Sequence, residues 1–533
     1  MPDLIHHFIA QAAATRPDAT AILYKDESIN YAELQQAVAN AAAGFVSASI
    51  AAGERIAVYL PKQKETVYSI FGAAAAGACF VPINPLLKPH QVQHILRHSE
   101  TRILVTSRVR LRALKEILLD CPRLHTIVLT DEGEAAELPA LAQELVDYTA
   151  FSSSAANAKL HRRIDADLAA ILYTSGSTGQ PKGVALSHRN LVAGAQSVAS
   201  YLENCAEDRL LAVLPLSFDA GLSQLTTAFS VGASVVLLDY LMPRDVIRTV
   251  ARYQVTGLGA VPPLWNQLRD LEWPAEAVDC LRYITNTGGA MPVTTTRALQ
   301  AALPQTDIFL MYGLTEAFRS TFLSPDQVNA RPDSIGRAIP NAEILVVDED
   351  GRECAANQPG QLVHRGALVS LGYWRDPEET AKRFRPCPGA PGELPTAELA
   401  VWSGDRVRRD EEGYLYFISR QDEMIKTSGY RVSPTEVEEI VSRSGLAEQS
   451  AALGLPHAVL GQAILLLVTP TQSAEPGAEF AQELIAHCRT HLPSYMVPAA
   501  VEMQASLPRN QNGKIDRAAL SVEFQDYFGD KAQ

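Results

Sequence analysis

Residues 174–183, TSGSTGQPKG, concentrate small hydroxyl side chains and glycines in one short segment near a lysine. Glycines let the backbone approach a ligand closely. Hydroxyls and exposed backbone N–H groups can then surround phosphate oxygens, and the lysine adds a positive charge. The residues predicted to hold phosphate are Thr174, Ser175, Gly176, Ser177, Thr178, Gly179 and Lys182. The segment therefore predicts a phosphate-binding loop, called the phosphate loop below, with a flexible surface loop as the alternative.

Two commoner loops of similar composition do not fit this spacing. A Walker loop ends in Gly-Lys-Ser/Thr, whereas here Pro181 precedes Lys182 and Gly183 follows it. The nucleophile elbow of serine hydrolases requires Gly-x-Ser-x-Gly, and Ser175 occupies its first glycine position. Both loop types are therefore excluded.

Three further strings carry residues suited to a nucleotide. In residues 311–316, MYGLTE, the aromatic ring of Tyr312 can lie against a base and Glu316 can offer oxygen to Mg²⁺. Asp405 is predicted to end a strand as an exposed carboxylate that can accept both ribose hydroxyls. Lys514 follows an Asn-Gly turn that can project it outward. The alternatives are a strand-to-helix turn, a turn aspartate and a solvated lysine.

Together these strings resemble those of the AMP-forming adenylating enzymes, which include acyl-CoA synthetases, adenylation domains of nonribosomal peptide synthetases and luciferases. The resemblance implies ATP and Mg²⁺, with Glu316 as the metal ligand and Lys514 bridging the carboxylate and the α-phosphate. Thr174 joins these two as a catalytic residue. The nucleotide-binding residues that it implies outside the phosphate loop are Gly288, Gly289, Ala290, Tyr312, Gly313, Thr315, Asp405, Arg420 and Lys514. The family usually has glycine where Ser419 stands.

A second glycine string, residues 426–431 (KTSGYR), lies in the C-terminal part of the chain. In relatives this loop lines the pantetheine tunnel. The resemblance therefore implies that Gly429 and Tyr430 contact a thiol acceptor, either CoA or the phosphopantetheine of a carrier protein. It also implies that the C-terminal domain rotates about Asp422, because Lys514 and Gly429 serve consecutive steps. Spacing alone would give Asp422 only as an exposed turn residue.

Residues 214–223, LPLSFDAGLS, fall where this family forms its acyl pocket. The resemblance assigns to the pocket Phe218, Asp219, Ser223, Met311 and Arg319. A buried aspartate needs a cationic partner, and a substrate ammonium would supply it, as in the amino-acid-activating members. Backbone donors or Arg319 are the other candidate partners of Asp219. Arg319 could instead hold a second carboxylate or a carbonyl of the substrate, so the charge of the acid stays open.

The sequence pattern predicts an α/β fold. It comprises a large N-terminal domain of doubly wound sheets, a small β-rich subdomain and a mobile α+β C-terminal domain. Helices and buried strands alternate before the phosphate loop, which favours a parallel sheet. A strand over 168–173 should lead into the loop, and a helix over 188–200 should follow. Short strands between polar turns place the β-rich subdomain at about 341–420, which gives domains 1–420 and 421–533.

The C-terminal domain should contain one well-marked helix. Ser433 can cap it, Pro434 suits its first position and Glu436 can complete a capping box. Gly445 can end it.

With 533 residues and 47% hydrophobic content, the chain is long enough for several domains. A net charge of −14 without a Lys/Arg-rich block argues against a nucleic-acid surface. Seven scattered cysteines include no C-x-x-C pair, so neither a zinc site nor a disulfide framework is indicated. The N-terminus lacks a basic signal region, and no segment is suited to a membrane span. We expect a cytoplasmic protein.

The sequence therefore predicts an enzyme, an AMP-forming acid–thiol ligase for a small carboxylic acid with or without an amino group. One alternative is a stand-alone amino-acid-activating enzyme that loads a separate acyl carrier protein. Another is a nucleotide-binding protein without catalysis, against which Lys514, Glu316 and Asp405 argue. Over nearly its full length the chain resembles the acyl-CoA ligases associated with bacterial exosortase systems. That resemblance implies an envelope or exopolysaccharide setting but no particular acid.

Overall fold

Two large sheets enclose a shared layer of helices in the computed structural model. The described residues are 2–131, 142–153, 159–174, 181–390, 393, 395–420, 424–471, 478–508 and 515–529. For residues 419, 420, 478 and 518 only the backbone is described.

The first sheet has eight strands and is parallel over most of its width. In spatial order they are Gly372–Tyr373, Lys182–Ser187, Leu168–Thr174, Cys79–Pro82, Arg55–Val58, Thr101–Thr106, Thr126–Leu129 and Glu144–Asp147. The strand before the phosphate loop is confirmed. The next described element is a strand rather than a helix, because Lys182–Ser187 pairs antiparallel with Leu168–Thr174 and sets Val184 opposite Leu172. The predicted helix follows as His188–Tyr201.

The second sheet has fourteen strands. Along its main path they are Ala342–Val347, Gly360–Gly366, Leu399–Arg409, Leu415–Arg420, Ser334–Ala338, Thr321–Leu323, Asp307–Tyr312, Tyr283–Asn286, Gly257–Ala260, Arg209–Ala212, Ser234–Leu237, Thr20–Tyr24 and Glu27–Asn30, with Phe384–Pro386 beside Leu399–Arg409. The central strands pair in parallel and the β-rich strands antiparallel. Ser334–Ala338 contacts both groups, with Ala338 opposite Thr321 and Ser334 opposite Tyr416. The β-rich region therefore extends this sheet instead of forming its own.

A separate sheet of five strands follows Arg420. Its strands are Tyr430–Val432, Ile425–Thr427, Gly461–Pro470 and Ala447–His457, with Ala500–Met503 parallel to Gly461–Pro470. It has its own apolar core, in which Ile440, Leu466 and Leu484 are buried.

The helix Pro434–Arg443 of this region confirms only part of its predicted signals. Ser433 is the N-cap residue, Pro434 begins the helix, and Gly445 follows its end at φ +72°. The predicted capping box is wrong, because the Ser433 side chain makes no capping bond. Glu436 instead accepts a hydrogen bond from Gln91 Nε2 at 2.8 Å. Glu436 therefore contacts the distant helix Pro89–His98 instead of capping its own helix.

The α-helices are His7–Thr15, Tyr31–Ser47, Lys64–Ala75, Pro89–His98, Arg108–Leu114, Tyr148–Ser153, His188–Tyr201, Asp219–Val231, Pro243–Tyr253, Pro262–Leu268, Ala275–Cys280, Val293–Ala302, Pro377–Arg383, Pro434–Arg443, Ala478–His491 and Arg517–Glu523. Short 3₁₀ helices are Ile117–Asp120, Thr315–Ala317, Pro325–Gln327 and Ser494–Met496. Phe71 and Phe229 meet edge to face between the two large sheets, with ring centroids 5.4 Å apart. This layer lies between the two sheets that carry much of the predicted site.

Candidate active site

Residues from all three sheets line a cavity of about 350 Å³, called the outer cavity. The predicted residues that line it are Thr174, Phe218, Asp219, Gly288, Gly289, Ala290, Met311, Tyr312, Gly313, Thr315, Asp405, Gly429 and Tyr430. Residues predicted for the nucleotide, for the acid and for the thiol acceptor therefore face one space.

The remaining predicted residues are distributed differently. Ser223 and Arg319, again with Met311, line a smaller cavity of about 50 Å³, called the inner cavity. Ser175, Gly176, Ser177, Thr178, Gly179, Asp422 and Lys514 lie outside the described residues. Of Arg420 only the backbone is described, and its Cα is paired with that of Asp405 across two antiparallel strands.

Glu316 lies in a 3₁₀ turn and is 3% exposed. The Tyr373 hydroxyl donates to its Oε1 at 2.5 Å, and Arg383 Nε lies 3.9 Å from the same oxygen. Burial alone would raise the pKa of Glu316, but Arg383, Arg431 and the Tyr373 hydroxyl outweigh it, so the pKa is lowered. Its Oε2 is buried and has no hydrogen-bond partner among the described residues. An ionised carboxylate with one unused oxygen suits a metal ligand.

Magnesium prefers oxygen ligands and usually keeps several waters and substrate phosphates. Within the described ranges, no three or more His, Cys, Asp or Glu side chains form a group that could hold a metal ion. Glu316 therefore fits a magnesium ion that nucleotide phosphates and water mainly hold, and does not fit a metal site built from protein alone.

Asp405 lies inside the strand Leu399–Arg409 and is 3% exposed. The expectation of an exposed carboxylate at a strand end is wrong, because the strand continues for four residues, and the turn alternative is wrong with it. The Tyr312 hydroxyl donates to Asp405 Oδ2, and the Asp405 N–H donates to Ser403 Oγ at 3.1 Å. The ring predicted for the base and the carboxylate predicted for the ribose are therefore fixed beside each other.

Lys182 begins the strand that follows the phosphate loop. Its Nζ lies 2.5 Å from Glu379 Oε2 and 5.7 Å from the centroid of the Tyr373 ring. The hydrogen bond from Lys182 is the largest cause that lowers the pKa of Glu379. A phosphate group would have to share Lys182 with Glu379 or displace it.

Asp219 is the first residue of the helix Asp219–Val231. Arg319 Nη1 donates to Asp219 Oδ2 at 3.0 Å and to the Phe318 carbonyl at 3.1 Å. Burial raises the pKa of Asp219, and Arg319 opposes this rise. Of the partners considered for Asp219, Arg319 is present, and the backbone N–H groups of Asp219 and Ala220 also lower its pKa by hydrogen bonding, so Asp219 does not depend on a substrate ammonium.

The C-terminal sheet contributes Gly429 and Tyr430 to the outer cavity. Gly429 has φ +80°, and a Cβ there would lie 2.7 Å from Val261 Cγ2, so glycine is required on both grounds. The Tyr430 ring lies 5.3 Å from that of Phe218 and stacks on Tyr495 at 3.7 Å. The C-terminal sheet is thus docked with its glycine loop at the cavity.

The sequence analysis missed the support of the phosphate loop by the helix Pro89–His98. His98 Nδ1 lies 2.8 Å from the Tyr173 hydroxyl before the loop, and His94 Nε2 lies 3.0 Å from the Pro181 carbonyl oxygen after it. The two imidazole rings stack at 5.4 Å. Histidines four residues apart share one helix face, and that spacing was the available signal.

Other contributors were also missed. They are Gln91, Tyr373, Glu379, Arg383, Lys426, Arg431 and Glu436. Lys426 and Arg431 flank Gly429 in a string already singled out, whereas Tyr373 and Arg383 carried no local signal.

Comparison with known proteins identifies the family of this chain. The family model described as AMP-binding enzyme matches residues 9–374, and that of the AMP-binding enzyme C-terminal domain matches residues 436–514. The chain belongs to the AMP-binding enzyme family. A sulfoacetate–CoA ligase from Cupriavidus necator is 31% identical to it over 529 residues, with 97% of each chain covered.

A linear gramicidin synthase protein from Brevibacillus parabrevis is 29% identical over 522 residues, which cover 97% of this chain. The chain spans only 10% of the length of that protein. Two structures of o-succinylbenzoate CoA synthetase from Bacillus subtilis are each 25% identical, with 96% of this chain and 97% of the other covered. The TM-score is 0.82 for a double mutant bound to the product analogue OSB-NCoA and 0.67 for the complex with the acyl-adenylate OSB-AMP.

This AMP-binding enzyme is an AMP-forming acid–thiol ligase, which forms an acyl-adenylate from ATP and an acid and then a thioester. No helix in the described part of the chain is both long enough and apolar enough to span a bilayer.

Proposed function

We propose that this ligase activates a small carboxylic acid in the outer cavity and transfers the acyl group to CoA or to a separate acyl carrier protein. The observation that carries this proposal is the outer cavity itself. It places Tyr312 and Asp405, Asp219, and the Gly429 loop around one volume of about 350 Å³. A nucleotide, an acid and a thiol can therefore react there in turn.

The first step joins two anions, because a carboxylate oxygen attacks the α-phosphate of ATP and pyrophosphate leaves. Their repulsion, and the charge that builds on the phosphoryl oxygens, must be neutralised. The hydroxyls of the phosphate loop, Lys182 and Lys514 supply donors and positive charge in this proposal. When bound, Mg²⁺ would add charge neutralisation beside the free oxygen of Glu316. Arg383 and Tyr373 keep Glu316 ionised and oriented.

The position of the C-terminal domain supports assigning this arrangement of the protein to the second step, the transfer of the acyl group to the thiol. Gly429 and Tyr430 line the outer cavity. The likeness to the bacterial synthetase is also higher for its CoA product analogue complex, TM-score 0.82, than for its acyl-adenylate complex, TM-score 0.67. We take residues 1–420 as the adenylating unit and residues 421–533 as the unit that rotates about Asp422. Rotation would exchange the Gly429 loop for Lys514.

The amino-acid-activating alternative is less well supported than an acyl-CoA ligase. It rested on the resemblance of Phe218-Asp219 to members whose aspartate pairs with a substrate ammonium, and here Arg319 already pairs with that carboxylate. The catalytically silent alternative is opposed by the ionised Glu316 and by the paired Tyr312 and Asp405. The assignment to the exosortase-associated group stays a prediction.

Pyrophosphate release over a panel of small acids tests this proposal, with CoA and a phosphopantetheinylated carrier protein as alternative acceptors. We expect release with at least one acid and thioester formation with one acceptor. Lys514→Ala should abolish adenylate formation and leave transfer from a supplied acyl-adenylate largely intact. Equal loss of both steps would refute the assignment of Lys514 to the first step, and no release with any acid would favour the silent protein.

A further inference from the structure

The inner cavity continues the outer cavity into the protein. Residues that line both are Leu214, Ala220, Thr287 and Met311. Asp219 lines the outer cavity and Arg319 the inner one, so their ion pair stands where the two cavities meet. An acid whose carboxylate lies in the outer cavity can therefore extend its acyl chain past this pair.

The inner cavity limits the length of that chain. Its volume of about 50 Å³ compares with the roughly 10–15 Å³ that one water needs on the same measure. It therefore accommodates roughly three to five non-hydrogen atoms. One side of the cavity is tightly packed, because a Cβ at Gly257 would lie 2.4 Å from Tyr283 Oη and 2.7 Å from Leu210 Cδ2.

Two of the polar side chains around this cavity have partners within the protein. Gln224 Oε1 accepts from the Leu214 N–H at 3.1 Å, and Gln224 Nε2 donates to the Gly259 carbonyl at 3.0 Å. Asn204 Nδ2 donates to the Tyr283 hydroxyl at 3.0 Å. The Gln224 amide therefore needs nothing from a ligand, and the Tyr283 hydroxyl already has one partner.

Arg319 differs from them. Its side chain is 5% exposed, and its buried Nε has no acceptor among the residues that the structure describes. The preceding residue, Phe318, has φ +57°, a conformation that costs energy for a phenylalanine and fixes the course of the chain here. A buried donor without an acceptor is destabilising, and a ligand oxygen in the inner cavity would satisfy it.

The charge of the site decides which oxygen suits it. Asp219 already balances the guanidinium of Arg319, so the pair is neutral as a unit. A second carboxylate or an ammonium on the acid would be buried beside this pair without compensation, which is costly. A carbonyl or hydroxyl oxygen carries no such cost and still accepts from an ionised donor.

We propose that the acid is short and carries an uncharged hydrogen-bond acceptor near its distal end, which Arg319 binds from the inner cavity. This inference rests on the proposed function, and it narrows the small acid of that proposal to a hydroxy- or oxo-substituted acyl chain. The neutral Asp219–Arg319 pair excludes amino acids whose ammonium would lie at the same place.

Four acids of nearly equal length test the inference through kcat/KM for pyrophosphate release. They are 4-oxopentanoate, pentanoate, glutarate and 4-aminobutanoate. We expect 4-oxopentanoate to exceed pentanoate at least tenfold, because a charged donor loses its acceptor in the pentanoate complex, and to exceed both charged acids by more. A preference for pentanoate or for either charged acid would overturn the inference.

Three variants link the preference to the ion pair. The double variant Asp219→Asn with Arg319→Met keeps the pocket neutral, and its preference for 4-oxopentanoate over pentanoate should fall to within threefold. Asp219→Asn alone leaves Arg319 uncompensated and should raise relative activity with glutarate at least tenfold. Thr256→Val, outside both cavities, is the control and should change neither ratio.

The outcomes separate this inference from the function on which it rests. Pyrophosphate release with a different order of acids overturns the inference and leaves the ligase activity intact. An unchanged order in the double variant does the same, since Arg319 would then have no part in selection. Thermal unfolding of each variant identifies any that fail to fold, in which case the order of the four acids on the unaltered enzyme decides. No release with any acid overturns both.

Discussion

Glu436 should make the docking of the C-terminal sheet dependent on pH. It is 7% exposed and accepts from Gln91 Nε2, while Gln91 itself is 4% exposed and also contacts Met496. Burial raises the pKa of Glu436 from 4.5 to about 7, with the Gln91 hydrogen bond opposing the rise. The two side chains come from helices of different parts of the chain, so undocking would expose Glu436 to water.

The direction of the effect follows from proton binding. The docked form holds the proton more tightly, so docking is strongest below pH 4.5 and weakens as pH rises towards 7. Above about pH 7 both forms are ionised and the effect is complete. The full difference is about 3 kcal/mol, because one pKa unit corresponds to about 1.4 kcal/mol. Between pH 5.5 and 8 the docking constant should fall about 27-fold.

The groove between these two helices contains other ionisable groups. They are His90, His94, Arg97, His98, Glu439 and Arg443. Burial lowers the pKa values of His90, His94 and His98, so these imidazoles are mostly neutral near pH 7. Glu439 adds to the rise of the Glu436 pKa and provides the matched control on the same helix.

Glu436→Gln keeps an acceptor for Gln91 and removes the titration. The rate at which this variant forms thioester from a supplied acyl-adenylate is divided by the wild-type rate at the same pH. The ionisation of the thiol affects both rates equally and cancels in this ratio. We expect this ratio to rise with pH and to level off above pH 7, whereas Glu439→Gln should give a nearly flat ratio. Hydrogen exchange of the Pro89–His98 helix should follow the same curve. A flat ratio and flat exchange for Glu436→Gln would refute the reasoning.

Three further substitutions test other contacts of the site. Gly429→Ala should slow thiol transfer at least tenfold and leave pyrophosphate release unchanged, because its Cβ would overlap Val261. Single-turnover assays of each step measure the two rates. Equal slowing of both steps would contradict a role of Gly429 confined to thiol transfer. Tyr373→Phe should raise the Mg²⁺ concentration needed for half-maximal adenylation by roughly five- to thirtyfold, since Glu316 loses a hydrogen bond of about 1–2 kcal/mol. An unchanged Mg²⁺ titration would count against it. His98→Phe should raise KM for ATP a few-fold without changing the rate of transfer from a supplied acyl-adenylate, because the contact of His98 with Tyr173 beside the phosphate loop is lost. Initial rates at varied ATP concentration test this prediction.

Residue strings located much of the cavity because they are short, and two of them, at Thr174 and Tyr312, lie at the end of a strand. The local sequence around Tyr312 and Glu316 indicates a strand followed by a turn, and the structure has both. The strand before the phosphate loop was equally predictable from its apolar run. Such features depend on neighbours in sequence.

Features that depend on distant partners were not predictable. Glu316 and Tyr373 are 57 residues apart in sequence, and no pattern joins them. Ser433 and Glu436 have the spacing of a capping box, yet Glu436 accepts a hydrogen bond from Gln91 instead. A buried carboxylate needs a donor, and here a distant helix supplies it. Asp405 was expected to end its strand, whereas the strand runs on to Arg409 and pairs with Leu415–Arg420, and Asp405 is buried.

The helix Pro89–His98 also bears on protein engineering. Over about 15 Å of length it presents Gln91 to the C-terminal helix and His94 and His98 to the two flanks of the phosphate loop. A chimaera that imports the last hundred residues of a relative would bring a foreign side chain opposite Gln91. We expect such chimaeras to be most active when the relative's counterpart of the helix Pro89–His98 is transferred as well, even though this helix lies more than three hundred residues from Glu436 in the chain.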